Sequence, residues 1–329
     1  MALDTHIINE LLLQGGGQHG VRDLNSAYAF CFGIASSHYE NFPVASRILR
    51  TDVRPHIAAV YSFARLADDI SDESVVPAAE KTIRLQALLD WLDDSDSTTH
   101  PVVRAMRHTM SECKLPAELP RRLVHAFSMD ADFRQPQTWD DNLHYCTYSA
   151  NPIGETILRI HGIHDAAAIE LSDRICSALQ LINFWQDQSV DHPRGRCYLP
   201  AKECTEHGLR FDGASLSVVK EGMATEGSLG RHLPNDTTFD SRVNTFYDSL
   251  YARTRLLMNS GVPLLDHIRD LRLKAELIMI IESALRVLEK CASLHEEILH
   301  KRPSLGAADV PVILMRSARL FFAKNTLHA

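Results

Sequence analysis

The chain of 329 residues contains no uninterrupted apolar stretch near the roughly 18 residues that a bilayer-spanning helix needs. It has no Lys/Arg-rich run, and its formal net charge is -8, so nucleic acid is not the expected partner. Seven cysteines (Cys31, Cys113, Cys146, Cys176, Cys197, Cys204, Cys291) are odd in number and never in Cys-x-x-Cys spacing, which points away from a disulfide framework and from zinc. The opening Met-Ala-Leu-Asp-Thr-His lacks the basic start and cleavable apolar run of a secretory signal, so a cytoplasmic protein is expected. No Gly-x-Gly-x-x-Gly fingerprint is present, and Gly15-Gly-Gly17 is not followed by Gly-Lys-Ser/Thr, which leaves it a connector. Strand signals are nearly absent, and no Asn-Gly or Asp-Gly hairpin is read between alternating apolar runs. Internal repeats and low-complexity segments are missing too.

What is present is helix. With 45% hydrophobic residues the chain has ample material for a core, and apolar periodicity predicts an all-α, single-domain helical bundle over 26–329 behind an N-terminal extension of 1–25. Helices are expected from Leu24-Asn-Ser26 through Ala35, from Val53 to Glu73, and over 78–94, 101–113 and 117–134, the last two set apart by Pro116 and Pro120. Further helices are expected over 138–161 (kinked at Asn151-Pro152), 165–190, 201–208, 240–260, 262–300 and 309–323. Pro43 disfavours helix at Phe42, leaving His38, Glu40 and Asn41 free to face a cavity or to serve as ordinary connection residues. Residues 224–239 read as a loop.

Two acidic patches carry the chemistry. The first, Arg65-Leu-Ala-Asp-Asp-Ile-Ser-Asp-Glu73, follows the buried-helix sequence Ile57–Ala64 and stacks Asp68 over Asp72 and Asp69 over Glu73. Like charges so aligned repel unless a cation lies between them, and carboxylates that leave water on the ion suit Mg²⁺. A solvated acidic helix end is the plain alternative for this patch alone. The second patch weakens that alternative. Asn183, Asp187 and Asp191 fall four apart on a helix otherwise carrying Leu179, Leu181, Ile182, Phe184, Trp185 and Val190. Beyond it, Pro193 and Gly195 make a turn that offers Arg194 and Arg196 to phosphate. Metal-binding acids, phosphate-binding arginines and apolar walls together describe a prenyl diphosphate site.

Other features read more plainly. Asp130 and Asp132, two apart, split between helix faces and default to the surface. Tyr145 and Tyr148 share a face and are either core or the wall of a tunnel. The amphipathic Val310–Phe322 segment, basic at Arg316 and Arg319, either packs on the core or meets a membrane surface.

The segments Tyr61–Glu73, Tyr145-Cys-Thr-Tyr-Ser-Ala-Asn-Pro-Ile-Gly154, Gln180–Asp191 and Gly195-Arg-Cys-Tyr-Leu-Pro200 together resemble the squalene/phytoene synthase family over roughly residues 26–300. Within it, Ser37–Ser46 is more similar to the bacterial hydroxysqualene synthases of hopanoid biosynthesis than to phytoene synthases. The resemblance implies a class I terpenoid synthase bundle with a central cavity. It implies that Asp68, Asp72, Asn183, Asp187 and Asp191 hold two or three Mg²⁺ ions. It implies that His38, Asn41, Tyr61, Arg65 and Arg196 contact the diphosphate, that Arg54, Gln180 and Asn183 also bind substrate, and that Tyr145 lies at the reacting carbons. The chain departs from the pattern at Gln186, where eukaryotic squalene synthases carry arginine, and at Ile281-Glu-Ser-Ala284, where relatives often carry glycines; their C-terminal membrane anchor is also missing.

The activity expected from the resemblance is Mg²⁺-dependent ionisation of presqualene diphosphate and a water quench to hydroxysqualene, without NADPH. Partners are a prenyl diphosphate, the inner membrane surface by peripheral contact, and neighbouring enzymes of squalene synthesis. Head-to-head condensation to presqualene diphosphate or phytoene is the rival chemistry, and a non-catalytic helical scaffold the rival of another class.

Overall fold

The computed structural model describes residues 23–37, 48–72, 76–93, 100–218 and 241–325. Its helices are α1 (Leu24–Ser37), α2 (Arg54–Asp72), α3 (Ala78–Asp93), α4 (Pro101–Glu112), α5 (Glu118–Ala131), α6 (Trp139–Ser149), α7 (Asn151–Ile160), α8 (Ala166–Gln186), α9 (Gln188–Asp191), α10 (Ala201–Glu206), α11 (Ser241–Gly261), α12 (Leu264–His267), α13 (Leu271–Leu294) and α14 (Val310–Asn325). The all-α expectation holds, with one small exception. Strands β1 (Leu209–Phe211) and β2 (Leu216–Val218) pair antiparallel. Their turn carries Asp212-Gly213, an Asp-Gly signal that sequence reading passed over because the flanking runs are only three residues each. Gly213 takes φ +96°, and the Asp212 carboxylate accepts the backbone N–H of Ala214 and Ser215, so the pair closes the hairpin as turn chemistry requires.

The chain divides into two compact units. One comprises Met1–Phe133, Thr147–Glu170 and Asp270–Glu276; the other comprises Arg134–Cys146, Leu171–Arg269 and Leu277–Ala329.

In the first unit, α2 is the central element and packs on α1, α3, α4, α5 and α7. Ala58, Ala59, Phe63 and Ala67 on α2 and Ala27 and Cys31 on α1 are all fully buried, mostly small side chains that let packed backbones approach. The Ser62 hydroxyl accordingly reaches the Cys31 carbonyl at 3.2 Å. Pro120, expected to separate helices, instead lies within the first turn of α5. There its missing N–H is one the helix could not have paired anyway.

In the second unit the core is built around Trp185, fully buried, whose indole N–H donates to Thr254 Oγ1 at 2.9 Å. Trp139 stacks on it at 6.3 Å, and the Arg253 guanidinium lies 4.0 Å over the Trp139 ring, a cation–π contact that caps the aromatic pair. On α11, Phe246, Leu250, Thr254 and Met258 recur every four residues and are buried, the stripe that docks the helix. The single helix expected over 262–300 is interrupted: α12 ends at His267, and α13 starts afresh where Asp270 accepts the N–H of Arg272 at 2.9 Å, an N-cap that apolar periodicity alone does not reveal. The break at Asn151-Pro152 is as expected, with Pro152 at the start of α7.

Gly261 ends α11 against α8. A Cβ there would stand 2.5 Å from Ile175 Cγ1 and 2.8 Å from the Leu171 carbonyl oxygen. The Gly261→Ala variant is expected to lose about 1–3 kcal/mol through overpacking, read as a lower urea midpoint; an unchanged midpoint would mean that these helices are not in such close contact.

Candidate active site

Over the C-terminal two-thirds of α2, from Tyr61 on, the side chains left outside the core are Tyr61, Ala64, Arg65, Asp68, Asp69 and Asp72. They recur at helical spacing and form one polar stripe. Arg65 divides the acids: Nη2 lies 2.5 Å from Asp69 Oδ1 and Nη1 3.3 Å from Asp68 Oδ2. Asp69 is 10% exposed against 40% for Asp68, so Asp69 is the enclosed partner of Arg65 and Asp68 the one presented outward. Burial, then the charge of Asp72, push the Asp68 carboxyl up to about 6 against the opposing pull of Arg65, with Asp69 and Asp130 adding to the rise. Asp130, assigned to the surface from its spacing, is therefore part of this acidic field.

The second patch keeps its register through a break in the helix. Asp187 lies between α8 and α9 at φ -97°, ψ 10°. Yet its N–H donates to the Asn183 carbonyl at 2.9 Å, and the Asp191 N–H donates to the Asp187 carbonyl at 2.8 Å. The three residues thus remain one turn apart, although the uninterrupted helix expected over 165–190 is not what carries them. Burial, then Asp187, push the Asp191 carboxyl up to about 6, opposed by Arg196, Arg194 and Arg302. The turn after it forms as expected: Gly195 takes φ +79°, its N–H donates to His192, and the Arg196 N–H donates to the Asp191 carbonyl at 3.0 Å.

Arg302 was not anticipated. Its Nε and Nη2 pair with the two carboxylate oxygens of Asp187, while Gln186 Nε2 donates to the Pro303 carbonyl at 2.7 Å. No sequence signal marks this contact, which joins residues more than a hundred positions apart.

The apolar side of the second patch is aromatic. Phe184 and Tyr198 stack at 3.8 Å with rings 6° from parallel, and Tyr145 tilts against both at 5.8 and 6.2 Å. Buried Asn142 donates to the Tyr198 carbonyl at 3.0 Å and Gln135 to the Leu199 carbonyl at 2.8 Å, holding that segment in place. Tyr148 meets His125 instead, at 4.7 Å.

Of the remaining expected site residues, Arg54 donates through Nε and Nη2 to the Leu49 carbonyl at 2.9 and 2.7 Å. Tyr61 and Gln180 are half-buried and Asn183 is exposed. His38, Asn41 and Glu73 lie outside the described residues, as does the loop expected over 224–239. Among the described residues no three His, Cys, Asp or Glu side chains converge as a ready-made cage. Each patch taken by itself still fits a hard divalent ion completed by water and phosphate: in each, crowding pushes one carboxyl up to about 6, and hard oxygen ligands so crowded gain most from a cation beside them.

Solved structures resembling this one include a squalene synthase and a dehydrosqualene synthase. A squalene synthase from Alicyclobacillus acidocaldarius superposes with a TM-score of 0.69 at 28% identity, covering 81% of this chain and 93% of its own. A dehydrosqualene synthase does so at 0.63 and 21%, covering 92% and 97%, which speaks for the fold alone. A profile of the squalene/phytoene synthase family matches residues 35–309, and the chain belongs to that family, whose members process prenyl diphosphates. A hydroxysqualene synthase of Sinorhizobium fredii is 31% identical over 87% of this chain and 92% of its own. One from Rhodopseudomonas palustris is 30% identical over 80% and 84%. A phytoene synthase of Mycobacterium tuberculosis is 28% identical over 57% and 62%.

The raised carboxyls have a consequence for stability. Asp68 and Asp191 stand at about 6 in the fold against an ordinary 3.8, so between those values the folded chain holds more protons than the unfolded one. Their contribution to stability is therefore lost as pH rises from about 4 to about 6 and stays lost above. In chelator-treated protein, Asp68→Asn and Asp191→Asn are each expected to raise the melting temperature relative to wild type at pH 7 and to lose that advantage at pH 4. A difference that does not change with pH would contradict the crowding described here.

Proposed function

We propose that the protein is a hydroxysqualene synthase. The C–O bond of presqualene diphosphate breaks, diphosphate departs, the cyclopropylcarbinyl cation rearranges to the linear skeleton, and one water adds its hydroxyl and releases a proton. The observation that carries this reading is the extent of likeness. Relatives named hydroxysqualene synthase align over 80–87% of the chain, and those named phytoene synthase over 51–57%.

On this reading residues 26–329 work as one domain. Asp68, Asp72, Asn183, Asp187 and Asp191 hold Mg²⁺, which when bound supplies Lewis-acid stabilisation of the departing diphosphate. The chain's own groups do the rest. Arg65 and Arg196, with His38, Asn41, Arg54, Tyr61 and Gln180, orient the diphosphate and meet its growing charge with fixed donors, the electrostatic contribution that is usually largest in a dry site. Arg65 is suited to this, since its Nε is buried without a hydrogen-bond partner among the described residues. Tyr145, beside Phe184 and Tyr198, offers π faces to a carbocation, and apolar walls delay water until rearrangement is complete. No reductant is required, so NADPH is not a cofactor on this reading. The enzyme would act from the cytoplasm at the inner membrane surface, alongside neighbouring enzymes of squalene synthesis.

The second reading, head-to-head condensation of farnesyl or geranylgeranyl diphosphate, draws on the phytoene synthase relatives at 28–30% identity.

Product analysis separates the two. Presqualene diphosphate with Mg²⁺ is expected to give hydroxysqualene in equal yield with and without NADPH, whereas a cyclopropyl diphosphate or phytoene formed from the shorter diphosphates would establish the second reading. Asp68→Ala and Asp187→Ala are each expected to lower turnover by about 10²-fold or more. If the two patches serve one diphosphate, the double variant falls little below the worse single one; multiplying losses would mean that they act separately.

A further inference from the structure

Helix α14 presents an apolar face to solvent. Val310 is 51% exposed, Leu314 52% and Met315 67%, and Pro311 and Ala318 are exposed beside them. At 100° per residue these five lie within an arc of about 140°, along a helix roughly 24 Å long. Exposed Phe322 falls inside the same arc, and exposed Arg319 lies at its edge.

The opposite face is fastened down. Ile313 and Ser317 are buried. Asp309, just ahead of the helix, accepts Arg286 Nε at 2.8 Å and Lys290 Nζ at 2.6 Å, and Arg316 reaches Glu289 at 2.7 Å. The helix is thus held in one rotational setting with its apolar arc outward, and core packing, the first of the two readings of this segment, accounts only for its inner side.

We propose that this face of α14 docks on an anionic lipid surface. Charge selects the occupant. The helix contains no Asp or Glu, and its only charged residues are Arg316, Arg319 and Lys324, in a chain whose net charge is -8. An acid-free basic helix on an otherwise acidic protein gives it a defined side to turn toward negative headgroups. Arg319, at the margin of the arc, is placed to extend its guanidinium to the headgroup level while Leu314, Met315 and Phe322 enter the acyl boundary. A second copy of the chain fits less well. Twofold pairing of this face would bring Arg319 toward its own copy with no acid on either helix to neutralise it. Nor does the helix span the bilayer, since among the described residues none is long and apolar enough to cross. It lies on the surface.

The inference does not depend on the catalytic reading, because vesicle binding is measured without turnover. The full chain is floated with vesicles of phosphatidylcholine alone and of phosphatidylcholine with phosphatidylglycerol. Wild type is expected to float with the anionic vesicles and to be released as salt is raised. Leu314→Glu, Met315→Glu and Arg319→Glu are each expected to cut the bound fraction about tenfold with an unchanged melting temperature. The control is Ile83→Glu on α3, a residue 63% exposed in the other unit, which should bind as wild type does. Absence of wild-type flotation, equal flotation by the α14 variants, or an equal loss in the Ile83 variant would each overturn the proposal. So would a wild-type dimer in sedimentation that Met315→Glu abolishes, since the face would then belong to a second copy.

Discussion

Everything else in the first unit follows from the way α2 is made to carry four charged groups along the one stripe that its neighbours leave uncovered. Five helices pack on it, and its core side is supplied by residues such as Ala58, Ala59, Phe63 and Ala67, all fully buried. What is left for Arg65, Asp68, Asp69 and Asp72 is the side of the helix outside that core. One arginine with two outer nitrogens steadies two of the acids and leaves Asp68 and Asp72 with their mutual repulsion. That residual repulsion is what a cation beside the stripe would relieve.

The second unit reaches a comparable electrostatic condition by another route. Asp191 is crowded by Asp187 as Asp68 is by Asp72. Here, however, the compensating cations come from outside the helix: Arg194 and Arg196 from the turn closed by Gly195, and Arg302 from the segment after the 3-10 turn His295–Leu299. A tight turn with a left-handed glycine brings two arginines back on the acid that precedes them within five residues. The long-range contact supplies the third.

Much of this was legible in the residues. The acids of both patches, the arginine ahead of the first and the turn behind the second follow from spacing alone, because helix geometry fixes which side chains share a face. The kink at Asn151-Pro152 and the overall helical class follow from proline and apolar period in the same way. What escaped reading depends on tertiary context or on locally weak signals. Asp130 lies two residues from Asp132, and no spacing rule could assign it to the field of Asp68, which is set by how α5 packs on α2. The Asp212-Gly213 hairpin joins strands too short to alternate. Pro120 looked like a boundary and proved to be a first-turn residue, a distinction that turns on where the helix begins. The restart of α13 behind Asp270 is a capping event inside an otherwise continuous apolar period.

Gln186 shows how such context can reverse an inference drawn from one position. Glutamine there, where eukaryotic squalene synthases carry arginine, reads in the sequence as a site one cation short. In the fold, the Gln186 amide instead donates to the carbonyl of Pro303, and the residue next to that proline is the arginine that engages Asp187. The neutral side chain ties down the segment, and the segment supplies the guanidinium. The guanidinium beside Asp187 therefore comes from a neighbouring stretch of chain and not from the helix itself. Replacing Gln186 by arginine would put a second guanidinium beside the first and remove the amide that anchors Pro303. Position 186 and position 302 are therefore best understood as one electrostatic device, and neither can be assessed from its own identity.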